Sequence, residues 1–417
     1  MSGREFADAL NQGCHCEAPP AGLLPGIHSG TPVFVDAADV LAMHRLVEVV
    51  ESVVRLPRYQ QAVLDRSPEI ARHPVAARGV FLGFDFHVSK AGPKLIEINT
   101  NAGGAMLNAV ADWRRPACCL GADAPVAPAP TRGNLESAFV GMFREEWRRA
   151  RGDQPLESIA IVDDAPGQQF LQREFELFAD LFRRQGIEAV VADAGELEWA
   201  DGRLRWRGLA LDMIYNRVTD FYFEHPGHEA LRAAYLADAA VITPHPRAHA
   251  LYADKRNLQW MTDAQFLRAA GTPPGDIDLL LAGIPATQGV EASPHWWPTR
   301  KQWFFKPNAG FGSRGAYRGD KLTRRVFEEL VKGGYVAQKF VPAGERLDSP
   351  DTGEPFKVDL RLYVYDGRAL LLAARLYKGQ TTNFRTAGGG FAPVLELRDG
   401  AALLQSCVIP RDIPSAL

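Results

Sequence analysis

Cysteine is scarce in this sequence, with five residues among 417, at positions 14, 16, 118, 119 and 407. Such an odd and sparse set does not form the disulfide framework of a secreted domain, so we expect reduced thiols in a cytoplasmic protein. The tripeptide Cys14-His15-Cys16 permits a zinc interpretation. Adjacent ligands suit a tetrahedral site poorly, however, and no second CxxC pair accompanies them, so an ordinary loop is the favoured alternative.

Long apolar runs and an excess of either charge are also absent. The formal net charge is −3, with 46% hydrophobic and 23% charged residues, as in ordinary globular proteins. No apolar run approaches the length of a membrane span, and the first residues show neither the basic segment nor the apolar stretch of a signal peptide. We therefore expect neither nucleic acid nor membrane as a partner.

Periodicity and turn residues indicate an α/β chain. Apolar residues recur at helical spacing over 37–56, and Pro57 closes that helix. Two strand-like runs, 79–88 and 94–99, flank a link rich in turn formers and predict an antiparallel hairpin. From residue 157 the pattern alternates strand, helix and strand, which predicts a small parallel α/β domain. Later strand-like runs cover 335–341 and 358–375.

A glycine-rich turn follows the strand that carries Lys306. Its residues include Gly310, Gly312, Ser313 and Gly315. Glycines let backbone N–H groups approach phosphate oxygens, and the lysine adds a positive charge. The turn fits GxGxxG, but no helix opens cleanly after it, and the motifs of P-loop proteins and protein kinases are absent. This segment therefore predicts a turn that covers ATP, with an ordinary hairpin as the alternative.

Oxygen-bearing side chains are predicted to meet on the early hairpin. Glu97 and Asn99 alternate with Ile96 and Ile98, so they share one face of a strand, and Asp85 lies on the partner strand. Mg²⁺ prefers hard oxygen ligands and is usually also coordinated by substrate phosphates, so a few protein side chains are enough to bind it. The hairpin predicts a magnesium site. Acidic residues that simply face solvent are the alternative interpretation.

Together these segments resemble the ATP-grasp superfamily, and most closely the glutathione synthetases. In bacterial glutathione synthetases the Glu-Ile-Asn strand would come last, whereas here it comes early, which resembles the circularly permuted, eukaryotic-type order. The resemblance covers roughly residues 78–110 and 157–395. Its motifs are Glu97-Ile98-Asn99-Thr100, Lys306-Pro307 with the glycine turn, and the segments at 214–221, 253–255, 336–343, 359–368, 373–375 and 386–390.

The resemblance implies an ATP-grasp fold of α/β class, circularly permuted and joined to a small parallel α/β domain. The implied parts are a mainly helical segment (1–77), the transposed metal-binding part of the core (78–155), a small substrate-side α/β domain (156–250), the nucleotide and lid part (251–345) and the remaining core (346–417). The first 75 residues match no part of the family pattern.

The resemblance also implies a ligase that joins a small amino-acid-like or peptide-like acid to an amine through an acylphosphate. ATP and Mg²⁺ are the implied cofactors, with ADP and phosphate as products. Implied metal ligands are Asp85, Glu97 and Asn99, and implied catalytic groups are Lys306 and Arg375. Implied ATP-binding residues are Lys255, Lys306, Gly310, Gly312, Ser313, Gly315, Gln338, Lys339, Phe340, Val341 and Asp359.

Candidate substrate residues are the amides and guanidinium groups of Asn101, Asn216, Arg217, Asn383 and Arg385. A guanidinium matches a carboxylate bidentately, but arginines are also common surface residues. Expected partners are a small-molecule or peptide acid and an amine, and a homodimer is compatible with the sequence. A kinase on the same fold and a non-catalytic nucleotide-binding protein stay open as alternatives, although no lysine or acid of the expected site is missing.

Overall fold

The computed structural model describes residues 4, 24, 26–110, 127, 130–291, 293, 295–310, 315–347, 354–384 and 386–398. All five cysteines fall outside these residues, so the zinc interpretation of the first two lies outside the described part of the chain. Gly312, Ser313 and Arg385 also lie outside it.

Helix α1 (Ala37–Val54) shows how the sequence specifies its elements. The Asp36 carboxylate accepts a hydrogen bond from the Ala38 backbone N–H and so caps the helix. Its apolar residues pack against the central sheet, as the periodicity predicts. The other helices are α2 (Pro57–Asp65), α3 (Ala105–Val110), α4 (Arg132–Arg151), α5 (Gln172–Arg184), α6 (Glu229–Leu236), α7 (Pro246–Ala248), α8 (Asn257–Met261), α9 (Ala264–Ala270), α10 (Pro274–Gly283), α11 (Trp296–Thr299) and α12 (Arg324–Leu330). None of the described helices is long and apolar enough to cross a membrane.

The strands are short and belong to several separate sheets. They are β1 (Val33–Asp36), β2 (Leu82–Ser89), β3 (Gly92–Asn99), β4 (Ser158–Asp163), β5 (Glu188–Asp193), β6 (Leu197–Ala200), β7 (Arg203–Trp206), β8 (Leu209–Ala210), β9 (Met213–Asn216), β10 (Val241–Thr243), β11 (Thr287–Gly289), β12 (Trp303–Pro307), β13 (Tyr317–Arg318), β14 (Tyr335–Lys339), β15 (Gly344–Arg346), β16 (Phe356–Tyr365), β17 (Arg368–Tyr377), β18 (Gly390–Ala392) and β19 (Val394–Leu397).

The central sheet joins an early part of the chain to a late part. Its order is β18-β17-β16-β2-β3, with β15 also on β16, and every neighbouring pair is antiparallel. The predicted hairpin is therefore present as β2 and β3. The late run 358–375 is two strands, because the chain turns at Asp366 and Gly367, both with positive φ. This order agrees with the permuted arrangement, and the predicted fold is confirmed.

The small domain contains the predicted parallel sheet, in the order β10-β9-β4-β5. Strand β4 is buried along its whole length, as expected for a central parallel strand. Helix α5 begins at Gln172, after a 3₁₀ turn at Pro166–Gln168. Strand β8 does not continue into β9 and belongs to a separate meander, β6-β7-β8.

A third sheet, called the lid here because it lies in the segment predicted to form one, has the antiparallel order β11-β14-β12-β13. Its own core is aromatic and includes Trp296, Trp303 and Phe305. The parallel pair β1 and β19 lies apart from these sheets. A cleft separates the lid from the central sheet, and most of the predicted site residues face it.

Candidate active site

The cleft is lined by residues from distant parts of the chain. The early hairpin contributes one wall, and the strand before the glycine-rich turn contributes another. The Lys306 side chain, from the second wall, contacts the backbone of the first, as described below. The predicted site residues that line the cleft are Glu97, Asn99, Lys255, Lys306, Gly310, Gln338, Lys339, Phe340, Val341, Asp359 and Arg375.

Lys306 is the buried cation of this cleft. Its Nζ donates to the backbone oxygen of Ile96 at 2.7 Å and to Oε1 of Gln338 at 2.8 Å. Burial lowers the pKa of Lys306 to about 8, and the Glu97 carboxylate opposes that shift. Both hydrogen-bond acceptors of the ammonium group are neutral, so its charge is available to a phosphate.

Lys255 connects the glycine-rich turn to the hairpin. Its Nζ donates to the backbone oxygen of Gly310 at 3.1 Å and lies 4.0 Å from Oε2 of Glu97. Its backbone N–H donates to the carbonyl of Asn308 at 3.0 Å. The turn ends at Gly315, whose φ of 70° is a left-handed conformation that favours glycine. Two lysines therefore approach the same part of the cleft from different elements.

Asp85, a predicted metal ligand, lies beneath the cleft and is 0% exposed. Its two oxygens accept from Nε and Nη2 of Arg361, both at 2.6 Å, and Oδ2 forms an ion pair with Nη2 of Arg375 at 2.9 Å. Burial would raise the pKa of Asp85, but the two guanidinium charges lower it. Asp85 is thus already paired with two cations, and its role as a metal ligand stays a prediction.

Glu97 and Asn99 are the metal-binding candidates that face the cleft. The Glu97 side chain is 29% exposed. The Asn99 amide donates to Oε1 of Glu97 at 3.2 Å and to Asp85 at 3.0 Å. Within the described residues, no group of three or more His, Cys, Asp and Glu side chains could hold a metal ion by itself. A carboxylate and an amide fit Mg²⁺ only when phosphate oxygens complete the coordination.

Asp359 is a hydrogen-bonding centre on β16, the strand that adjoins the early hairpin in the central sheet, and it lines the cleft. It accepts from Nε2 of His87 at 2.8 Å, from the Tyr377 hydroxyl at 3.0 Å and from the Thr382 hydroxyl. Burial would raise the pKa of Asp359, but the bond from His87 and the charges of His87 and Arg375 lower it to about 2. Asp359 is therefore an anion, with its acceptor positions largely filled by these donors.

His87 is a cleft residue that the sequence analysis missed. Its Nδ1 lies 2.8 Å from the backbone oxygen of Val341, in the segment expected to contact adenine, while its Nε2 bonds to Asp359. Its position two residues after Asp85 places it on the same face of β2, and this spacing could have indicated that His87 lies near the site. His87 thus links the predicted adenine segment to the central sheet.

Arg361 was also missed, although it lies in a segment that carries the resemblance. It is directly opposite Asp85 in the register of β16 and β2. Burial would lower the pKa of Arg361, but the Asp85 carboxylate raises it. Its neighbour Arg375 has a buried Nε–H with no acceptor among the described residues. An unsatisfied guanidinium N–H on the cleft wall favours an anionic ligand.

The predicted substrate residues of the small-domain side lie outside the cleft lining, with Asn216 and Arg217 buried and Asn101 partly buried. The Asn101 amide donates to the backbone oxygens of Arg217 at 2.7 Å and Val218 at 3.1 Å. The Asn216 amide donates to the carbonyl of Pro244 at 3.1 Å, and Arg217 donates to the Tyr215 hydroxyl at 3.1 Å. These contacts join the small domain to the hairpin, and the substrate roles stay predictions.

Asn383 lies in the loop after β17. Its amide donates to the carbonyls of Lys378 at 2.9 Å and Thr381 at 3.2 Å, and its oxygen accepts from the Thr386 hydroxyl at 3.1 Å. These bonds shape the loop locally. A substrate role for Asn383 stays a prediction.

Comparison with known proteins finds likeness in structure. No family model matches the sequence, and no curated protein matches it. A glutathione synthetase-like effector from Globodera pallida, in its apo form, is similar with a TM-score of 0.55 and 10% identity, over 95% of each chain. A putative gamma-glutamylcysteine synthetase from Methylobacillus flagellatus KT has a TM-score of 0.46 and 11% identity, over 87% of each chain. At these identities the likeness concerns the fold.

Proposed function

We propose that this chain, which has the ATP-grasp fold of the glutathione synthetase-like superfamily, is an ATP-dependent ligase. It would join a carboxylate to an amine. The observation that carries this proposal is the meeting of Glu97, from the early hairpin, with Lys255 and Lys306, from the middle of the chain. A cleft with an acid for a metal ion and two lysines for phosphates suits a nucleoside triphosphate.

The phosphates are bound by cations from three elements. Lys306 and Lys255 neutralise the nucleotide phosphates, and the guanidinium of Arg375 stabilises the transferred phosphoryl group. Glu97 and Asn99 would hold Mg²⁺, which would offset negative charge on the phosphate oxygens. The segment from Gln338 to Val341 contacts adenine, and Asp359 contacts the ribose.

The reaction proceeds in two balanced steps. An oxygen of the acid attacks the γ-phosphorus of ATP, so that a new P–O bond forms and ADP leaves. The uncharged amine nitrogen then attacks the carbonyl carbon of the acylphosphate. The C–O bond to phosphate breaks, phosphate leaves, and the nitrogen gives up one proton to solvent as the amide forms. The lid and glycine-rich turn exclude water, which protects the acylphosphate from hydrolysis.

A substrate screen tests this function. Amino acids, dipeptides and polyamines are supplied with MgATP, and both ADP and free phosphate are measured, followed by the mass of the product. A ligase releases phosphate only when both an acid and an amine are present. ADP without free phosphate, together with a phosphorylated product, would instead establish the kinase alternative.

The Glu97→Gln substitution is expected to reduce the rate of phosphate release by roughly 100-fold or more. The variant loses a carboxylate that would hold Mg²⁺, so the negative charge that develops on the phosphoryl oxygens is stabilised less. The melting temperature should stay near that of the wild type, since the Glu97 side chain is partly exposed. Glu328→Gln on the lid surface is the matched control and should retain activity. Near-normal turnover by Glu97→Gln would refute the role of Glu97.

A further inference from the structure

A π-helical turn over His249–Ala253, called the π turn below, precedes the segment that carries Lys255. Such wide turns are rare in proteins and are frequent at functional sites. All residues of the π turn are buried, and Lys255 lies two residues after it, with its side chain at the nucleotide cleft. The placement of the π turn therefore determines where the Lys255 ammonium group lies.

Two buried side chains hold the backbone of the π turn in shape. Nδ2 of Asn257 donates to the backbone oxygens of Ala250 at 2.8 Å and Leu251 at 3.0 Å. The Tyr59 hydroxyl donates to the backbone oxygen of Leu251 at 3.0 Å. Asn257 and Tyr59 are both 0% exposed, so these bonds are shielded from water. The π turn thus has a defined shape, and its position in the protein depends on side-chain contacts such as those of His249.

His249, the first residue of the π turn, contacts two other parts of the chain. Its ring stacks on the Phe221 ring, with 3.8 Å between the ring centroids and 10° between the planes. Its Nδ1 lies 3.1 Å from the hydroxyl oxygen of Thr100. Thr100 directly follows the hairpin strand that carries Glu97 and Asn99, and Phe221 lies in the loop after β9. His249 is therefore the residue at which the hairpin, the small domain and the π turn meet.

The stability of the core does not by itself explain a histidine at this position. His249 is 4% exposed, and its Nε2 has no hydrogen-bond partner within the described part of the chain. A buried polar atom without a partner lowers stability. A phenylalanine could stack on Phe221 without that penalty, but it could not form a hydrogen bond with Thr100. The bond to Thr100 is therefore what distinguishes a histidine here.

Two separate contacts connect the hairpin to the lysine segment. Thr100 is bonded to His249, whose turn leads to Lys255. Three residues before Thr100, Oε2 of Glu97 lies 4.0 Å from Nζ of Lys255. We infer that His249 is a positioning residue, which through its bond to Thr100 holds the Lys255 ammonium group in place to bind a nucleotide phosphate. The assignment of Lys255 to phosphate rests on the proposed function.

The test is isothermal titration of MgADP into the wild type, Thr100→Val and His249→Phe. Each substitution removes the bond and keeps a side chain of similar size, and MgADP affinity should fall by about twofold to tenfold, as expected for one lost hydrogen bond. Thr100→Ser keeps a hydroxyl and should bind MgADP like the wild type. Thr299→Val is the matched control, because the Thr299 hydroxyl bonds to the carbonyl of His295 on the lid. It should also bind like the wild type.

The Lys255→Met background separates positioning from a general loss of structure. If the bond acts through Lys255, adding Thr100→Val or His249→Phe to Lys255→Met should leave MgADP affinity unchanged. A purely structural role predicts the same fold-change in both backgrounds. That result would overturn the inference, and so would wild-type affinity in Thr100→Val and His249→Phe.

Melting temperatures identify a variant that fails to fold, and either of the two substitutions is sufficient for the comparison if the other does not fold. Failure of the wild type to bind MgADP would count against the proposed function and would overturn this inference with it. Equal MgADP affinity in the wild type and in the folded variants would overturn the inference alone.

Discussion

Lys306 carries its positive charge in a site that penalises it. Burial lowers its pKa to about 8, and neutral oxygens hold its ammonium group. In the unfolded chain the same lysine titrates near its ordinary value of about 10.4. Between these two values the unfolded state binds more protons, so stability of the ligand-free protein rises with pH through this contribution.

The pH dependence of nucleotide binding should follow from Lys306. MgADP affinity should fall as the pH rises through about 8, because the free protein loses this cation there. Lys306→Met should bind MgADP about 10-fold to 100-fold more weakly at pH 7, as expected for a lost charge-assisted hydrogen bond. It should also lack the decline above pH 8. Calorimetric titrations from pH 7 to 9 measure both effects.

Lys332→Met is the control for this measurement, since Lys332 lies exposed on the lid and pairs with Glu329. It should reproduce the wild-type affinity and its pH dependence. An unchanged pH profile in Lys306→Met would assign the titration to another group.

Single residues were predictable where a local motif marks them. Lys306 precedes a glycine-rich turn, and Glu97 lies in an alternating strand, so both were placed in the cleft. Arg361 and His87 were missed because their roles depend on partners in other strands. Asp85 was predicted as a metal ligand, and that role stays a prediction. Its burial beneath two arginines follows from the register of β16 and β2, which sequence spacing does not contain.

At the scale of elements, His228 fastens the loops after β4 and β9 to one another. Its two ring nitrogens lie 2.8 Å from carboxylate oxygens of Asp164 and Asp220. Burial alone would lower the pKa of His228, but these two carboxylates raise it. The imidazolium form satisfies both acceptors at once, since each nitrogen then carries a hydrogen.

His228 should therefore make stability depend on pH. Its contribution is fully present below the ordinary histidine pKa of about 6.5 and is lost as the pH rises through the raised folded value. His228→Gln should lower stability by about 1–2 kcal/mol at pH 6, with a smaller difference at pH 9. Thermal melts of the wild type, His228→Gln and the control His44→Gln at both pH values check this. A pH-independent difference would contradict it.

The elements of the fold were predictable where a repeated pattern is long enough. Alternating residues gave the β2 and β3 hairpin, and strand-helix alternation gave the parallel sheet. The pair β1 and β19 was missed because Val33 meets Val394 across nearly the whole chain. The meander β6-β7-β8 was missed because its strands have only two to four residues.

At the scale of the whole molecule, Glu146 joins the small domain to the central sheet. It is 0% exposed and accepts from the Thr243 hydroxyl at 2.6 Å and from the Tyr365 hydroxyl at 2.9 Å. The backbone N–H groups of Arg78 and Gly79 donate to it at 2.7 and 2.9 Å. Burial raises the pKa of Glu146, although all four donors oppose that shift.

Removing this carboxylate should lower the free energy of unfolding of the protein. Glu146→Ala leaves four buried donors without an acceptor and should cost about 3–5 kcal/mol of stability, in the range for breaking a buried charged network. Glu146→Gln keeps one acceptor oxygen and should cost less. The matched control is Glu145→Ala, because Glu145 lies on the exposed side of the same helix and pairs with Arg148 and Arg149. Urea unfolding of the four proteins measures the difference, and equal losses at 145 and 146 would refute it.

The strand order of the central sheet determines when a chain that is still being synthesised can complete this sheet. Strands β2 and β3 end at Asn99, and their partner β16 begins at Phe356, about 257 residues later. At synthesis rates of roughly 5–20 residues per second, the ribosome needs about 10–50 s to reach that partner. Throughout this interval the edge of β2 has no partner strand, and pairing with β16 then covers it and brings Asp359 to the cleft.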